Sequence, residues 1–513
     1  MFSKTHLSNK GSFLKPEFFS CLVPAVAAVF FLAVSAFSQQ QPVLAPTQTS
    51  VKLSSAQFVG QDGLTVEGLV ELGANRRADL LAARQRLAIA EGRVRQARLR
   101  PNPTLDAEYG SPRFLGGEAE SDLSVGVSQV FELGGKRSKR VAVAELELNQ
   151  IRAEVIRLER QLAAEIRQSY TNAIAAARQL DILEKLIAAD EEIVRVTEAR
   201  LKEGDVAPLD VNLVRVESDR LKVQAIQARS ELETQLLNLR TLTGADIAET
   251  LKLAPQADRP PRLDLGLAEL TDIALKERAD LQAAVIGEQL GAARINLAKS
   301  NAVPNVAASI RFSRSKGIVD LPPTAGGGFA LDKDNELTFG VSIDIPIFNR
   351  NQGEIASATG ERVQATRTRE FLEATIKRDV AVAYRKYRAA AESLVLYSTQ
   401  ILPRSEANLQ TVRSAYGLGE FSVFEVVNEQ RRLTENVTGY NQSLRDYYNA
   451  LTELETALGS TLPASGFSPG ATSVLPDERI VPQQIDQEKF LKSLQPIPVK
   501  KNPVEIADKQ KSN

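Results

Sequence analysis

The sequence is poor in the side chains that carry most protein chemistry. Its 513 residues include one cysteine, one histidine, one methionine and no tryptophan. The three single residues are Met1, His6 and Cys21, all close to the start. The remaining chain has no thiol or imidazole, which excludes disulfides, zinc-finger-like sites and Cys or His nucleophiles made by this chain alone. It also has no glycine-rich phosphate loop. We therefore expect no enzyme activity, no catalytic residue, no bound metal and no cofactor.

A strong net charge is absent as well. The chain has 63 Lys and Arg residues against 64 Asp and Glu residues, so nucleic acid is not an expected partner. A long, mostly apolar run occurs only near the start. It follows a basic segment and ends near Ala36 and Ser38, whose small side chains suit cleavage. This order predicts a secretory signal peptide at 1–38, with a retained membrane anchor as the alternative.

Glycine and proline are absent from Lys136 to Glu203. Apolar residues recur through this run at steps of three and four, which predicts one helix about 100 Å long. The run ends at residues 204–208, where Gly204 suits a helix end and Pro208 suits the first turn of the next helix. A second run without glycine or proline, 209–243, predicts a return helix. A hairpin of this length cannot bury itself in one compact core and must pack against other hairpins or form a coiled coil.

The same order of elements occurs twice, which indicates an internal duplication. The letters RADL at 77–80 recur at 278–281, and Gly204 and Gly244 correspond to Gly419 and Gly459. Each copy is predicted to contain a helix, two strands, a long helix and a return helix. The first helix is predicted at about 65–100. The second long helix is predicted at about 353–416, with a kink at Pro403, and its return helix ends at Leu458.

The predicted domain organisation follows from this duplication. It comprises a signal peptide at 1–38, a linker at 39–64, repeat 1 at 65–244, a linker at 245–263, repeat 2 at 264–459 and a Pro-rich tail at 460–513.

Alternating apolar and polar residues predict two strands of about ten residues in each copy. In the first copy they are 105–109 and 123–127, and in the second 306–312 and 337–345. This is the length of a tilted membrane strand. Four strands cannot close a barrel with a lumen, and open edges are not tolerated in lipid, so several chains must share one barrel. Three chains would give twelve strands. A soluble four-stranded sheet is the alternative, and the missing tryptophan would make aromatic girdles thin.

With these features, residues 77–459 resemble the TolC-type outer-membrane efflux channels. Two strand-to-helix junctions, 132–137 (ELGGKR) and 345–353 (IPIFNRNQG), are similar to those of the cobalt–zinc–cadmium resistance branch. The resemblance implies a mainly α chain with a small β part, in which a homotrimer shares a 12-stranded outer-membrane β-barrel and a periplasmic α-helical barrel. It implies as partners outer-membrane lipid, a periplasmic adaptor (membrane fusion) protein and an inner-membrane pump.

The resemblance also assigns roles to the two hairpin turns. It implies adaptor docking by Gly204, Asp205, Pro208 and Leu209 in the first turn and by Gly419, Glu420, Phe421 and Phe424 in the second. It implies a periplasmic gate formed by Tyr416, Asp210, Glu425, Asn428 and Glu429. The family pairs an acid at the position of Asp210 with an arginine where this chain has Phe421, so that ionic lock is missing here. Helix capping is the alternative role for these residues.

The expected function is therefore the exit duct of a tripartite efflux system of the heavy-metal cation RND type, in the outer membrane with a large periplasmic portion. One alternative is a multidrug-efflux or type I secretion outer-membrane channel. Another is a periplasmic coiled-coil structural protein without a pore.

Overall fold

A computed structural model describes residues 57–111, 120–246, 248–256, 260, 262–321, 324, 326–462 and 467–468. The predicted signal peptide at 1–38 lies outside these residues, as do most of the predicted linker at 39–64 and most of the predicted tail at 460–513.

Both copies contain a short strand, two helices, two longer strands and a helical hairpin. The first copy comprises β1 (Val59–Leu64), α1 (Val66–Arg76), α2 (Ala78–Arg98), β2 (Thr104–Gly110), β3 (Ser121–Phe131), α3 (Lys136–Glu203) and α4 (Pro208–Thr243). The second comprises β4 (Arg262–Leu263), α5 (Leu267–Glu277), α6 (Ala279–Asn301), β5 (Val306–Leu321), β6 (Gly328–Ile343), α7 (Gln352–Leu396), a π-helical turn (Tyr397–Ile401), α8 (Leu402–Leu418) and α9 (Val423–Leu458). The short strand β7 (Phe467–Ser468) pairs with β4.

The long helix α3 has the bounds that its lack of glycine and proline predicted. Its buried side chains, among them Ile166, Leu180 and Leu186, form a core with Leu232 and Leu236 of α4. A second core forms in the other copy around Ile376 and Val380 of α7 and Leu444, Tyr447 and Leu454 of α9. Full burial of each such side chain contributes about 1.5–3 kcal/mol. An apolar seam thus runs along each hairpin, and the first one also includes Leu409 of α8 and Leu433 of α9.

The predicted single helix at 65–100 is wrong: it is two helices that break at Arg77. Arg77 has ψ 117°, which is extended backbone, and its guanidinium contacts Asp79 at 2.8 Å and Glu165 of α3 at 3.4 Å. Arg278 breaks α5 from α6 in the same way, with ion pairs to Asp280 at 2.6 Å and Asp379 of α7 at 3.4 Å. The recurring RADL letters therefore mark a helix break that these charges hold against the long hairpins, which local helix propensity could not predict.

The predicted kink at Pro403 corresponds to an interruption just before that residue. The π-helical turn Tyr397–Ile401 separates α7 from α8, and Pro403 lies in the first turn of α8. Proline has no N–H to donate within a helix, and its ring clashes with the preceding turn, so a local change of hydrogen-bond pattern accommodates it.

The four longer strands form one antiparallel sheet in the order β2-β3-β5-β6. The two copies join through β3 and β5, for example at Val125 opposite Phe312, which leaves β2 and β6 as edges. The strands β5 and β6 have 16 residues each and exceed the predicted ten. The last strand ends at Ile343, so Ile345, which was predicted to belong to it, lies beyond its end.

In the rows from Val306 to Ser313 of β5, the register puts most polar positions of the sheet on one face and most apolar ones on the other. Glu108, Ser124, Ser313 and Glu336 form one row across the four strands, and Ala107, Val125, Phe312 and Leu337 form the next row on the opposite face. The polar face borders a cavity of about 440 Å³ whose lining includes Asp122 and Asp334. The sheet therefore has one face suited to water and one suited to an apolar surrounding.

Helices α6 and α7 approach closely at Gly291. A Cβ atom added there would lie 2.8 Å from the Cα of Arg362. We expect Gly291→Ala to lower the free energy of unfolding by about 1–3 kcal/mol, because the backbone of α7 would have to move. Thermal unfolding of the purified full-length protein, followed by circular dichroism, measures this change.

Gly287 on the same helix is the matched control. A Cβ added there has no heavy atom within 4 Å, so Gly287→Ala should raise stability by about 0.5–1 kcal/mol. Equal melting temperatures for the two variants would contradict the close approach of α6 and α7.

Candidate functional site

The first hairpin turn is built by backbone geometry at Gly204 and by a carboxylate at Asp210. Gly204 has φ +84°, a left-handed conformation that favours glycine, and the N–H of Asp205 donates to the carbonyl of Arg200 at 3.0 Å. Pro208 begins α4, and the Asp210 carboxylate accepts a hydrogen bond from the N–H of Ala207 at 3.1 Å. These contacts determine the turn locally.

The second turn repeats this construction. Gly419 has φ +81°, and the N–H of Glu420 donates to the carbonyl of Ala415 at 3.0 Å. The Glu425 carboxylate accepts hydrogen bonds from the Ser422 N–H at 3.0 Å and from the Ser422 hydroxyl. The Ser422 hydroxyl and nearby backbone N–H groups hold the pKa of Glu425 below its usual range, so this carboxylate is ionised at neutral pH. Asp210 and Glu425 thus cap their own helices, and in the described part of the chain they share no hydrogen bond or ion pair.

Apolar side chains at the ends of both turns face solvent in the single chain. The exposed fraction is 74% for Leu209, 55% for Phe424, 44% for Phe421 and 78% for Leu418. Asp205, Pro208 and Glu420 are also exposed. Leu418 was not predicted from the sequence, where it is one leucine among many. A concentration of exposed apolar area at helix ends indicates a contact surface for another molecule.

Tyr416 links the two hairpins. The guanidinium of Arg200, on α3, donates to the Tyr416 hydroxyl at 2.7 Å and lies 5.4 Å from the centre of its ring. Tyr416 also packs against an apolar cluster that contains Val214 and Val427. Sequence reasoning missed Arg200, because nothing distinguishes it from the other arginines of α3 before the hairpins are placed side by side.

The remaining two predicted gate residues lie on α9. Asn428 is half-buried, and Glu429 is 8% exposed. Glu429 accepts a hydrogen bond from Arg432 at 3.2 Å on the same helix. In the single chain Glu429 therefore belongs to the helix packing, whereas Asp210 and Glu425 lie at the helix starts.

A buried polar cluster, which sequence reasoning also missed, joins all four helices of the two hairpins farther from the turns. We define it by Asp190 of α3, Glu217 of α4, Arg413 of α8, and Gln430 and Arg431 of α9. Gln430 donates to Asp190, and Arg431 donates to Glu217 at 2.6 Å. Neither terminal nitrogen of Arg413 has a hydrogen-bond partner among the described residues.

Burial shifts the titration of this cluster. It raises the pKa of Asp190 to about 6, against the opposing hydrogen bond from Gln430, with the negative charge of Glu217 adding to the rise. It lowers the pKa of Arg413 to about 10, although Asp190 opposes the change. This contact between the hairpins therefore buries an acid and a base without full hydrogen bonding.

No helix among the described residues combines the length and the apolar content that a membrane span requires. Nor do three or more Asp, Glu, His or Cys side chains in this part of the chain come together in a way that could hold a metal ion.

Comparison with known proteins identifies this architecture. The family model for outer membrane efflux proteins matches residues 69–245 and 270–460. The cobalt-zinc-cadmium resistance protein CzcC of Cupriavidus metallidurans is 25% identical over 407 residues, which is 77% of this chain and 90% of CzcC. The nickel-cobalt-cadmium resistance protein NccC of Alcaligenes xylosoxydans is 27% identical over 56% of this chain and 61% of NccC. A crystal structure of CusC has the same fold, with a TM-score of 0.63 at 20% identity over 77% of this chain and 92% of CusC.

The buried cluster predicts a pH-dependent stability. Because the pKa of Asp190 is about 6 in the folded chain against a usual 3.8, the folded state binds this proton more tightly. The contribution of Asp190 to the free energy of unfolding is therefore highest below pH 3.8, falls as the pH rises from 3.8 to about 6, and stays low above that pH. The full change in the free energy of unfolding between these pH limits is about 3 kcal/mol.

Asp190→Asn should remove this part of the pH dependence and raise the melting temperature at neutral pH. Asp219→Asn, at an exposed site on α4, should keep the wild-type pH profile. Melting temperatures of the purified proteins across that pH range test both. An unchanged profile in Asp190→Asn would mean that Asp190 does not titrate there.

Proposed function

The chain belongs to the outer membrane efflux protein family, and from this premise we propose that it is the exit duct of a tripartite efflux system for heavy-metal cations. Members of this family are outer-membrane channels with a large periplasmic helical portion. The single observation that carries the proposal is the duplicated pair of long hairpins on a four-stranded sheet, which matches the family over both repeats.

The sheet supports assembly as a homotrimer. Its edge strands β2 and β6 have no neighbour in the described chain, and unpaired backbone groups in lipid cost several kcal/mol each, by order of magnitude. Three protomers that pair β6 of one protomer with β2 of the next would form a closed barrel of twelve strands. The apolar face then contacts lipid and the polar face surrounds the lumen.

Helix α4 supports the same assembly in the periplasm. Leu209, Val216, Val223 and Leu237 recur at multiples of seven residues and are all exposed, as is Ile226. A stripe at heptad spacing is the seam along which one helix packs against another. We assign the part of this stripe from Val216 to Leu237 to packing against a neighbouring protomer in a periplasmic α-helical barrel. Its end at Leu209 would contact the adaptor.

The lumen suits cations. Asp106, Glu108, Asp122, Asp334 and Glu336 occupy the polar face of the sheet. Arg311 is the basic residue on that face nearest to them, and it pairs with Glu108 at 3.4 Å. A wall with an excess of carboxylates raises the local concentration of cations.

A metal cargo is favoured over drugs or secreted proteins because the relatives CzcC and NccC are named for cobalt, zinc, cadmium and nickel resistance. The cargo is a passing substrate. Its selection would belong to the inner-membrane pump and the periplasmic adaptor. The proposal includes no catalytic activity, no resident cofactor and no nucleic-acid partner.

At the turns we propose adaptor docking by the exposed residues Asp205, Pro208, Leu209, Glu420, Phe421 and Phe424, with Gly204 and Gly419 shaping the turns. The gate would comprise Tyr416, Asp210, Glu425, Asn428 and Glu429. The Arg200–Tyr416 contact would hold the two hairpins together in place of the missing family lock.

Deletion of the gene tests the function. Cells without it should become sensitive to cobalt, zinc and cadmium and recover when the wild-type gene is returned, because the duct is the last step of export. Unchanged metal tolerance together with new sensitivity to drugs would replace the metal proposal by the multidrug alternative.

Phe424 tests docking in the same assay. Phe424→Asp should fail to restore metal tolerance while the trimer forms normally, because a charge replaces an apolar contact. Phe424→Leu, which keeps the apolar character, should restore it. Full metal tolerance with Phe424→Asp would show that Phe424 packs only within its own hairpin and does not contact the adaptor.

Glu425 tests the gate. Three ionised copies around a threefold axis would repel one another and attract cations. We expect the purified channel to be cation-selective in planar bilayers and Glu425→Gln to shift its reversal potential in a salt gradient towards zero. Glu269→Gln is the matched control, because Glu269 caps α5 at Gly266 in the same manner, far from the turns. Identical reversal potentials for wild type and Glu425→Gln would remove Glu425 from the gate.

A further inference from the structure

Three basic side chains lie on the apolar face of the sheet. Arg314 and Lys316 are two residues apart on β5 and therefore share a face, and Lys333 of β6 is directly opposite Lys316. The same face carries Phe312 and Leu337 one row before Arg314. We call Arg314, Lys316 and Lys333 the basic triad.

The triad is unfavourable unless an anion is present. Side chains directly opposite in an antiparallel pair have Cβ atoms only ~5 Å apart, and like charges in such a pair are destabilising. Arg314 and Lys333 are exposed and Lys316 is half-buried. Within the described residues none of the three has an ion pair.

The acids beside the triad on β6 lie on the other face, and Asp320 of β5, which shares the triad's face, is four residues from Lys316, about 13 Å along the strand. Along β6, Asp332, Asp334 and Glu336 alternate with Lys333 and Asn335. The strand period of two therefore sends the acids to the polar face and the base to the apolar one. This sorting of charge by face is not expected of a strand end that simply stays in water.

The position of the triad along the strands matches the edge of a membrane. A run of apolar rows on this face extends from Val306 opposite Ile343 to Phe312 opposite Leu337, about 20 Å along the strand, and one further apolar row, Ile318 opposite Leu331, lies beyond the triad. The triad follows on the side away from the helices, near the β5–β6 hairpin. If the helices are periplasmic, as in this family, the triad lies at the outer surface, at headgroup level.

We propose that the basic triad binds phosphate groups of outer-leaflet lipid headgroups, with one site per protomer. This rests on the proposed function, because it needs the apolar face to contact lipid. A lipid is favoured over free phosphate because Leu123, opposite Arg314, and the next apolar row, Phe312 opposite Leu337, suit its acyl chains. The bound phosphate would also offset the repulsion between Lys316 and Lys333 and so stabilise the paired hairpin.

The test uses the purified full-length protein in neutral phosphatidylcholine vesicles with and without lipid A, a lipid that carries two phosphates. Native mass spectrometry of the extracted protein counts the lipid A molecules retained. Lys316→Gln/Lys333→Gln should weaken retention by about tenfold or more, given the attraction of each basic residue to an anionic surface. Lys316→Arg/Lys333→Arg should restore it.

A single-residue comparison controls for charge. Arg314→Gln should weaken retention, whereas Arg311→Gln, three residues away on the same strand but on the polar face, should not. Inorganic phosphate at the same concentration should fail to displace lipid A, and displacement would show that the site holds any phosphate.

Channel conductance separates the two proposals. If the wild-type protein conducts in neutral vesicles but retains lipid A no better than Lys316→Gln/Lys333→Gln, the lipid site is refuted and the duct remains. If the protein neither inserts nor conducts in either vesicle, the proposed function fails and the lipid site fails with it.

Discussion

The packing of helix α3 is the constraint on which the rest of the structure depends. It runs without interruption from Lys136 to Glu203 and contacts α2, α4, α6 and α9 along the way. A helix of this length exposes more apolar surface than one hairpin partner can cover, so the other helices are arranged along it. The breaks at Arg77 and Arg278 follow from this, because at each break an arginine reaches a long helix, α3 or α7, through a carboxylate.

The residues proposed for docking and gating also build the hairpin turns. Gly204 and Gly419 end their helices in left-handed conformations, and Asp210 and Glu425 cap the helices that follow. Capping keeps both carboxylates at the very start of a helix, where their negative charge is favourable. The same position would place both carboxylates at the periplasmic end of the proposed duct. A capping role therefore does not argue against a gate role, and the two must be separated by conductance and not by stability.

The contacts between the hairpins include polar groups as well as apolar ones. Within each hairpin, leucine and isoleucine seams dominate. Between the hairpins near the turns, the contacts include the Arg200–Tyr416 hydrogen bond and the buried cluster around Asp190 and Arg413. Burial of incompletely paired charge stabilises weakly at best, whereas the first apolar core crosses between the hairpins through Leu402 and Leu409 of α8 and Leu433 and Val437 of α9.

The local rules of the sequence determined the elements. The absence of glycine and proline set the bounds of α3, glycine followed by proline or an acid set the turns, and alternation set the existence and faces of the strands. The duplication and the strand-to-helix junctions then indicated the family, which the family model confirms over both repeats. The helix-end and capping positions of Gly204, Gly419, Pro208, Asp210 and Glu425 could be predicted because they depend on neighbours in the chain.

Tertiary structure decided whatever depends on residues far apart in the chain. The break at Arg77 needs Glu165, the Tyr416 contact needs Arg200 from the other copy, and the raised pKa of Asp190 needs burial by α4, α8 and α9. The pairing of Lys316 with Lys333 likewise depends on the register between β5 and β6. Hydrophobic periodicity reports which face of an element is buried, but it carries no information about which distant charge will lie opposite. That is why the elements could be predicted from the sequence and their polar contacts could not.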